Sequence, residues 1–454
     1  MTKVYRHSVF LQPEKCTGCV NCIKHCPTEA IRVRQGKAVI AEERCIDCGG
    51  CIRICPNTAK AVVTDGLAAL ERFPFRIALI PPSFYAQFKG GVSMAEIHGA
   101  LRQAGFDDCF DVALAAEIVS EETKKLLLAK KTDSPLLSSA CPAIVRLIQV
   151  KFPSLLPQVL PLEAPVTLAG RLAKLYACRQ SGCRPEEAGT FFLSPCSAKV
   201  SAIKNAQDNG DCFNVDGTVQ VAEIFAKVST LLAKRQERPP ALAPSIRGLR
   251  WGMSGGEWAA VNAAQYLVVD GIHNVTKVLD EVEMNRLEGI DFIELQACDG
   301  GCLGGFLNVR NRFEARVRLR KTLKAYEEPR SLAERLAPFD GIDLSVRPLD
   351  LPPYIRTSAF AHRLDEAIRV MKRYDQILEQ LPGLDCGSCG SPSCKTLAED
   401  VALGLAQEMD CVFRLREKIA SLADEVLLLS KTMPPSLTRT PQEKAKEGSD
   451  NGCS

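Results

Sequence analysis

The chain has 454 residues and a formal charge of +3, a length that points to about three domains. With 46% apolar and 24% charged residues it has a globular composition, and the small net charge makes no case for nucleic acid as a partner. No stretch is long and apolar enough to cross a bilayer, and the opening segment reaches a cysteine motif without the apolar core of a secretory signal. The 21 cysteines read better as metal ligands in a reducing compartment than as disulfides, so a cytoplasmic location is expected.

Residues 1–70 carry Cys16-x2-Cys19-x2-Cys22-x3-Cys26-Pro27 and then Cys45-x2-Cys48-x2-Cys51-x3-Cys55-Pro56. This doubled run resembles the bacterial two-cluster ferredoxins. By that pattern Cys16, Cys19, Cys22 and Cys55 hold one [4Fe–4S] cubane, and Cys45, Cys48, Cys51 and Cys26 hold the other. Zinc or disulfides are the alternatives, and they fit the spacing less well. A short β-prone piece follows each half, at 30–34 and 59–63. Two neighbouring cubanes conduct electrons. His25, beside a ligand, is read as a structural or potential-tuning neighbour.

Residues 74–190 read as α/β. A buried strand is expected over 75–80, a helix over 94–104, a strand over 106–112 and a helix over 117–131. The stretch Ser138-Ser139-Ala140-Cys141-Pro142 then follows Leu136 and Leu137. A strand that ends in a cysteine loop fits open α/β sheets, which bind ligands beyond strand carboxyl ends. Cys178 and Cys183 read as ordinary thiols.

Residues 190–330 repeat the style. A strand over 190–194 enters Ser194-Pro195-Cys196-Ser197-Ala198-Lys199. A helix is expected over 219–235 and a proline-rich connector over 239–244. Trp251 to Glu257 reads as a strand end turning into a helix, and its Gly255-Gly256 pair makes only a weak phosphate-binding signal. A last strand over 291–295 feeds Cys298-Asp299-Gly300-Gly301-Cys302-Leu303-Gly304-Gly305, a glycine-rich loop able to approach a bulky group closely. Residues 310–326 read as a solvated basic helix.

The three cysteine stretches, in this order, resemble the three signature motifs of [FeFe]-hydrogenases, over about residues 74–325. The resemblance implies an H-cluster domain over 74–330. Cys141, Cys196, Cys298 and Cys302 would hold a cubane, and Cys302 would bridge to a two-iron subsite carrying CO, CN⁻ and a dithiolate. Lys199 would hydrogen-bond a cyanide, with a point charge and three donors suited to a buried anion. Pro82 would line the cyanide pocket, and Trp251 would pack beside the distal iron. H₂ and protons would be the substrates, an electron carrier such as ferredoxin the redox partner, and maturation proteins the source of the two-iron unit. This copy departs from the best-known catalytic members at three places. Ala140 replaces the proton-relaying cysteine, Gln296 replaces a methionine, and Ser194 replaces another. Retained ligands without the relay resemble the sensory branch of the family, which implies slow turnover, hydrogen sensing and a signalling partner.

Residues 359–430 carry Cys386-x2-Cys389-x4-Cys394-x16-Cys411. This resembles the small cluster domain of Rnf-type B subunits and corrinoid iron–sulfur proteins, and implies a further [4Fe–4S] cluster. Zinc remains the alternative, since it also takes four thiolates. An amphipathic helix is expected over 359–380. After Cys411, the residues Leu415, Ile419, Leu422, Val426 and Leu429 form an a/d stripe. Such a stripe belongs to a helix docked on the body, or to self-association into a homo-oligomer. The segment 431–454 reads as disordered.

The expected fold is therefore α/β: a ferredoxin-like domain with two [4Fe–4S] clusters, a two-lobed hydrogenase-type domain and a small helical iron–sulfur domain. The expected chemistry is 2H⁺ + 2e⁻ ⇌ H₂, supported by about four cubanes and one two-iron unit. Two alternatives are a non-catalytic protein like the eukaryotic iron–sulfur assembly factors, and a pure electron-transfer adaptor.

Overall fold

A computed structural model of the chain describes residues 6–130, 133–208, 214–234, 237–239, 242–349, 351–352 and 364–432. Contacts divide it into two units, Met1–Arg356 and Thr357–Ser454. Most of the segment 431–454 lies outside the described residues, as does the start of the helix expected from 359.

The first unit opens with short strands. β1 (Val9–Leu11) pairs antiparallel with β4 (Lys60–Val62), and β2 (Ile31–Arg34) forms a hairpin with β3 (Lys37–Ile40). The hairpin turn is Gln35-Gly36, both at positive φ (50° and 72°), the geometry whose twist suits a two-residue connection. The helical turns Asn21–Lys24 and Gly50–Arg53 carry Cys22 and Cys51. Only a few apolar side chains, chiefly Ile23, Ile31 and Ala38, form a core around the thiols. A core that small needs staples, and metal clusters would supply them.

Two parallel sheets follow. The larger has the order β6 (Asp108–Asp111), β5 (Phe75–Ile80), β8 (Ala188–Ser194), β9 (Gly217–Gln220). All seven residues of β8 are buried, because helices cover both faces. On one face lie Met94–Gln103, Val221–Leu231 and Arg312–Ala325; on the other lie Val112–Ala129 and Pro165–Ser181. Phe191 points to the first core and Phe192 to the second, as strand alternation requires. The smaller sheet has the order β10 (Tyr266–Asp270), β11 (Phe292–Gln296), β7 (Leu136–Leu137). Helices Pro142–Lys151 and Ile272–Glu283 cover it with Ile144, Leu147, Val275 and Leu279.

Several expectations change. The helix expected from 117 starts at Val112, because Asp111 ends β6 and the chain turns directly into helix. The helix expected from 219 starts at Val221; Val219 belongs to β9, whose Thr218 pairs with Phe192. Trp251 does not end a strand. It caps the short helix Ile246–Arg250, which the periodicity of so brief a segment could not reveal. Arg312–Ala325 is not wholly solvated, since it buries Ala315, Leu319 and Leu323.

In the second unit, helices Leu364–Gln380 and Cys394–Ala402 enclose a core of Ile377, Leu381, Leu397, Ala398 and Val401. The helix Val412–Ser430 buries none of its residues, and Leu415, Ile419, Leu422, Val426 and Leu429 of its apolar stripe are all exposed.

One buried ion pair ties the larger sheet's helices to the segment that follows them. Arg335 donates to both carboxylate oxygens of Glu117, at 3.0 and 2.6 Å, and the Ser245 amide donates to the same carboxylate. Both side chains are only 8% exposed. Removing one partner of such a pair strands the other charge. Arg335→Ala is therefore expected to lower stability by about 3–5 kcal/mol, measured as the shift in a denaturant unfolding curve. A shift under about 1 kcal/mol would place the pair among ordinary surface ion pairs.

Candidate metal centre

Four strands deliver the site. β5 ends at Pro81-Pro82, β7 leads to Cys141, β8 leads to Cys196, and β11 leads to Cys298 and Cys302. All four belong to parallel sheets, so their carboxyl ends open where such sheets bind ligands. Cys141 is the N-cap of Pro142–Lys151, with Pro142 in the first turn. Cys196 directly precedes Ser197–Asp208. Two helix N-termini therefore point their positive ends at the thiols, which favours thiolates.

The glycine loop closes the site by backbone contact. Leu303 N donates to Gly252 O and Leu307 N donates to Pro195 O, each at 3.1 Å. A Cβ on Gly305 would stand 2.4 Å from Pro195 O. Gly301 has φ +78°, and a Cβ there would meet Gln296 Oε1 at 2.5 Å and Ser254 N at 2.7 Å. Asn308 Nδ2 holds the Cys302 and Leu303 carbonyls at 2.8 and 3.1 Å.

The result is a cavity of about 90 Å³ lined by Pro82, Ala140, Cys141, Cys196, Lys199, Trp251, Gln296, Cys298 and Cys302. The structure thus brings together every residue that the resemblance assigns to the H-cluster, from five separate segments. Burial pushes the Cys196 thiol up to about 11 against the pull of Lys199, and raises Cys298 and Cys302 as well. Burial works against the Lys199 ammonium, but the thiolates of Cys302, Cys196, Cys141 and Cys298 outweigh it and raise its pKa. Its one acceptor among the described residues is Ala140 O at 3.3 Å, which leaves two N–H donors for a guest. Gln296 Oε1 is buried without a partner. Four thiols, a spare ammonium and an unpaired amide suit an anionic iron–sulfur group that carries hydrogen-bonding ligands.

Beside the cavity lies a pair of buried carboxyls, Glu257 and Glu294. Glu257 Oε2 accepts from Ser138 Oγ at 2.6 Å, and Ser138 Oγ also accepts from the Ala140 amide. Glu294 accepts from the amides of Gly255 and Trp258 at 2.9 and 2.8 Å. Burial, then the Glu294 charge, pushes Glu257 up to about 8. Burial, partly offset by those amides, pushes Glu294 up to about 7. An acidic residue four positions before Cys298 inside an apolar strand was the available signal.

The other cysteines gather in sets. Cys26, Cys45, Cys48 and Cys51 line one cavity, with His25 at its edge and its Nδ1 on Asn21 O at 2.9 Å. Cys22 lies near Cys19 and Cys16, whose charges raise its pKa after burial does. Asn57 Nδ2 reaches Thr17 Oγ1 at 2.9 Å and draws the Cys55 turn to the Cys16 turn. Cys386, Cys389, Cys394 and Cys411 line a cavity in the second unit. Cys178 and Cys183 stand apart from all of these, with sulfurs 3.5 Å apart. The first unit also joins two sites. Burial and then Cys26 push Cys48 up to about 12, and Cys141 adds to that shift across the boundary. Arg53 donates to Gly304 O at 2.5 Å, and the Phe306 ring occupies the space a Cβ on Gly49 would need.

Sequence profiles match three parts of the chain: the iron-only hydrogenase large subunit, C-terminal domain, at 75–266 and 250–305; a 4Fe-4S dicluster domain at 8–56; and a putative Fe-S cluster domain at 381–413. The periplasmic [Fe] hydrogenase large subunit of Nitratidesulfovibrio vulgaris is 27% identical over 66% of this chain and 86% of that protein. A probable cytosolic Fe-S cluster assembly factor, oxy-4, of Caenorhabditis elegans is 23% identical over 49% of this chain and 59% of that protein. A solved [FeFe]-hydrogenase covers 63% of this chain and 94% of its own, with 16% identity and a TM-score of 0.49. The chain belongs to the iron-only hydrogenase large-subunit family. No helix among the described residues is long and apolar enough to cross a membrane.

The raised carboxyls carry a pH signature. A folded-state pKa of about 8 for Glu257, against an ordinary 4.5, adds stability that is full below about pH 4.5 and is lost as pH rises through 8. Glu257→Gln should flatten the fall in unfolding midpoint across that window. An unchanged slope would show that Glu257 titrates normally.

Proposed function

We propose that this chain is an [FeFe]-hydrogenase-type oxidoreductase that interconverts 2H⁺ + 2e⁻ and H₂ slowly and serves as a hydrogen sensor. The observation that carries this reading is the single cavity where Cys141, Cys196, Cys298, Cys302 and Lys199 converge. The four thiolates would hold a [4Fe–4S] cubane, with Cys302 shared with a two-iron unit bearing CO, CN⁻ and a dithiolate. That unit, when bound, supplies the hydrogen chemistry. The chain's own residues hold and orient it, exclude water and manage protons. Lys199 directs its two spare donors at an anionic ligand, while Pro82 and Trp251 furnish apolar wall.

Cys16, Cys19, Cys22 and Cys55, and Cys26, Cys45, Cys48 and Cys51, would hold two cubanes, which would supply electron conduction from a ferredoxin-like carrier. Cys48 and Cys141 pack against one core. Cys386, Cys389, Cys394 and Cys411 would hold a fourth cubane. A cytoplasmic setting, with maturation proteins and a signalling partner, completes the reading.

Ala140 offers a methyl where a relay needs a group that donates and accepts. Loss of a positioned relay costs typically about 10²–10⁴-fold in rate. Glu257 and Glu294, with pKa values of about 8 and 7, are the chain's remaining groups able to hold a proton near neutrality beside the cavity, and Ser138 links Glu257 to the Ala140 backbone. A trickle of protons by this route suits a sensor, which needs occupancy rather than flux.

A second reading rests on the similarity to oxy-4: a cluster protein without the two-iron unit. Infrared spectra of the matured protein separate the two. CO and CN⁻ stretches are expected, and their absence with the iron of four cubanes present would leave the second reading standing. In the same preparation, Ala140→Cys should raise hydrogen evolution by about tenfold or more. An unchanged rate with intact bands would remove Ala140 as the bottleneck.

The exposed helix Val412–Ser430 is proposed to pair with that of a second copy. Val412, Ile419 and Val426 fall at a, and Leu415, Leu422 and Leu429 at d, all exposed. β-branched a with leucine d is the two-stranded preference. Light scattering of the full chain should show a concentration-dependent dimer that Ile419→Lys dissociates; a monomer at every concentration would end the proposal.

A further inference from the structure

The helix Arg312–Ala325 buries Ala315, Leu319 and Leu323. Helical spacing then leaves Arg316, Arg320 and Lys324 as one exposed row, four residues apart. Arg250, the last residue of the helix Ile246–Arg250, meets this row across a cavity of about 440 Å³. Ile246, Met253 and Leu323 give the cavity apolar wall, and no carboxylate lines it.

A basic helix face is usually solvated and laced with acids. The neighbouring arginines follow that rule. Arg247 pairs with Glu121, Arg312 with Asp299 and Arg318 with Glu314. Glu328, four residues beyond Lys324, accepts from the Ile246 amide. The four cations around the cavity have no ion pair among the described residues. In a chain with 54 acids to 57 bases, composition does not explain four unmatched charges around one hollow. Like charges held together raise each other's energy, and a multivalent anion relieves that. The concavity also counts against a protein partner, whose docking faces are broad, and the size falls in the range of about 300–1,000 Å³ usual for small-molecule sites.

We propose that this cavity binds a nucleotide-sized phosphorylated anion, its phosphates on Arg250, Arg316, Arg320 and Lys324 and its apolar body against Ile246, Met253 and Leu323. Arginine forks match phosphate oxygens in pairs, and lysine adds a point charge. The back wall is the turn Met253–Gly256. The adjoining Gly252 O accepts from Leu303 N of the glycine loop, and within the turn Gly255 N donates to Glu294 of β11. A guest would thus rest on a turn that directly follows Trp251 and Gly252, two residues of the metal cavity's wall. The proposal goes beyond the hydrogenase reading and does not require the two-iron unit.

The test is calorimetric titration of the full chain, cubanes intact, with ADP and separately with inorganic pyrophosphate. ADP is expected to bind once and saturably, at least about tenfold tighter than pyrophosphate, and more weakly as salt rises. Arg316→Ala with Arg320→Ala should weaken ADP at least about tenfold, and the matching lysine replacements should weaken it less. Both sites are exposed, so cluster absorbance and the unfolding curve should stay unchanged. No saturable binding at millimolar ADP, or equal affinity in the double variant, would overturn the proposal. So would equal affinities for ADP and pyrophosphate, which mark a plain charge cluster. An acidic ferredoxin that binds here, with loss on the same substitutions and with ADP inert, would overturn it in favour of a docking face.

Discussion

The structure depends on backbone meeting backbone at the glycine loop. Gly305 lies so close to Pro195 O that no side chain fits between them, and Gly301 has both the left-handed φ and the same lack of room. These contacts bring the carboxyl ends of strands from two different sheets to one point. Each sheet is stable on its own terms, with helices on its faces and buried apolar strands. The loop adds their juxtaposition, and with it a cavity that neither sheet could form alone. Burial makes Cys196, Cys298 and Cys302 costly to ionise, and their pKa values are raised. A metal group removes that cost, so site and guest complete one another.

Charge is arranged around the cavity in the same spirit. Lys199 keeps its ammonium against burial because thiolates surround it. Burial discourages ionisation of both Glu257 and Glu294, and the Glu294 charge adds to the shift at Glu257 and the Asp270 charge to that at Glu294. The cavity therefore has a fixed cation on one side and a proton reserve on another. Ala140, with only a methyl, stands between Cys141 and Ser138, whose hydroxyl donates to Glu257.

Much of this was legible in the chain. The cysteine motifs, through their resemblance to known cluster domains, marked the sets that line the two outer cavities. The three scattered motifs marked the central cavity only when read together, because no local pattern says that residues 141, 196 and 302 meet. The buried strands showed as apolar runs. Boundaries were missed where an element was too short for periodicity, as at Trp251, or where strand turned straight into helix, as at Asp111 and Gln220. Glu257 escaped notice because a single acid gives no periodic signal; its meaning comes from Ser138 and Glu294, far away in sequence. The unmatched cations beside Met253 were hidden for the same reason, since pairing is a property of space.

The contact between Gly49 and Phe306 has a bearing on how this chain can drift. The ring fills the volume that any side chain at 49 would occupy, and Arg53 on the same helical turn holds Gly304 O. The first cysteine-rich segment and the glycine loop are therefore not interchangeable modules. A lineage that exchanged the first for a foreign copy would need a glycine at that position or a smaller residue at 306. The two positions should be inherited as a pair.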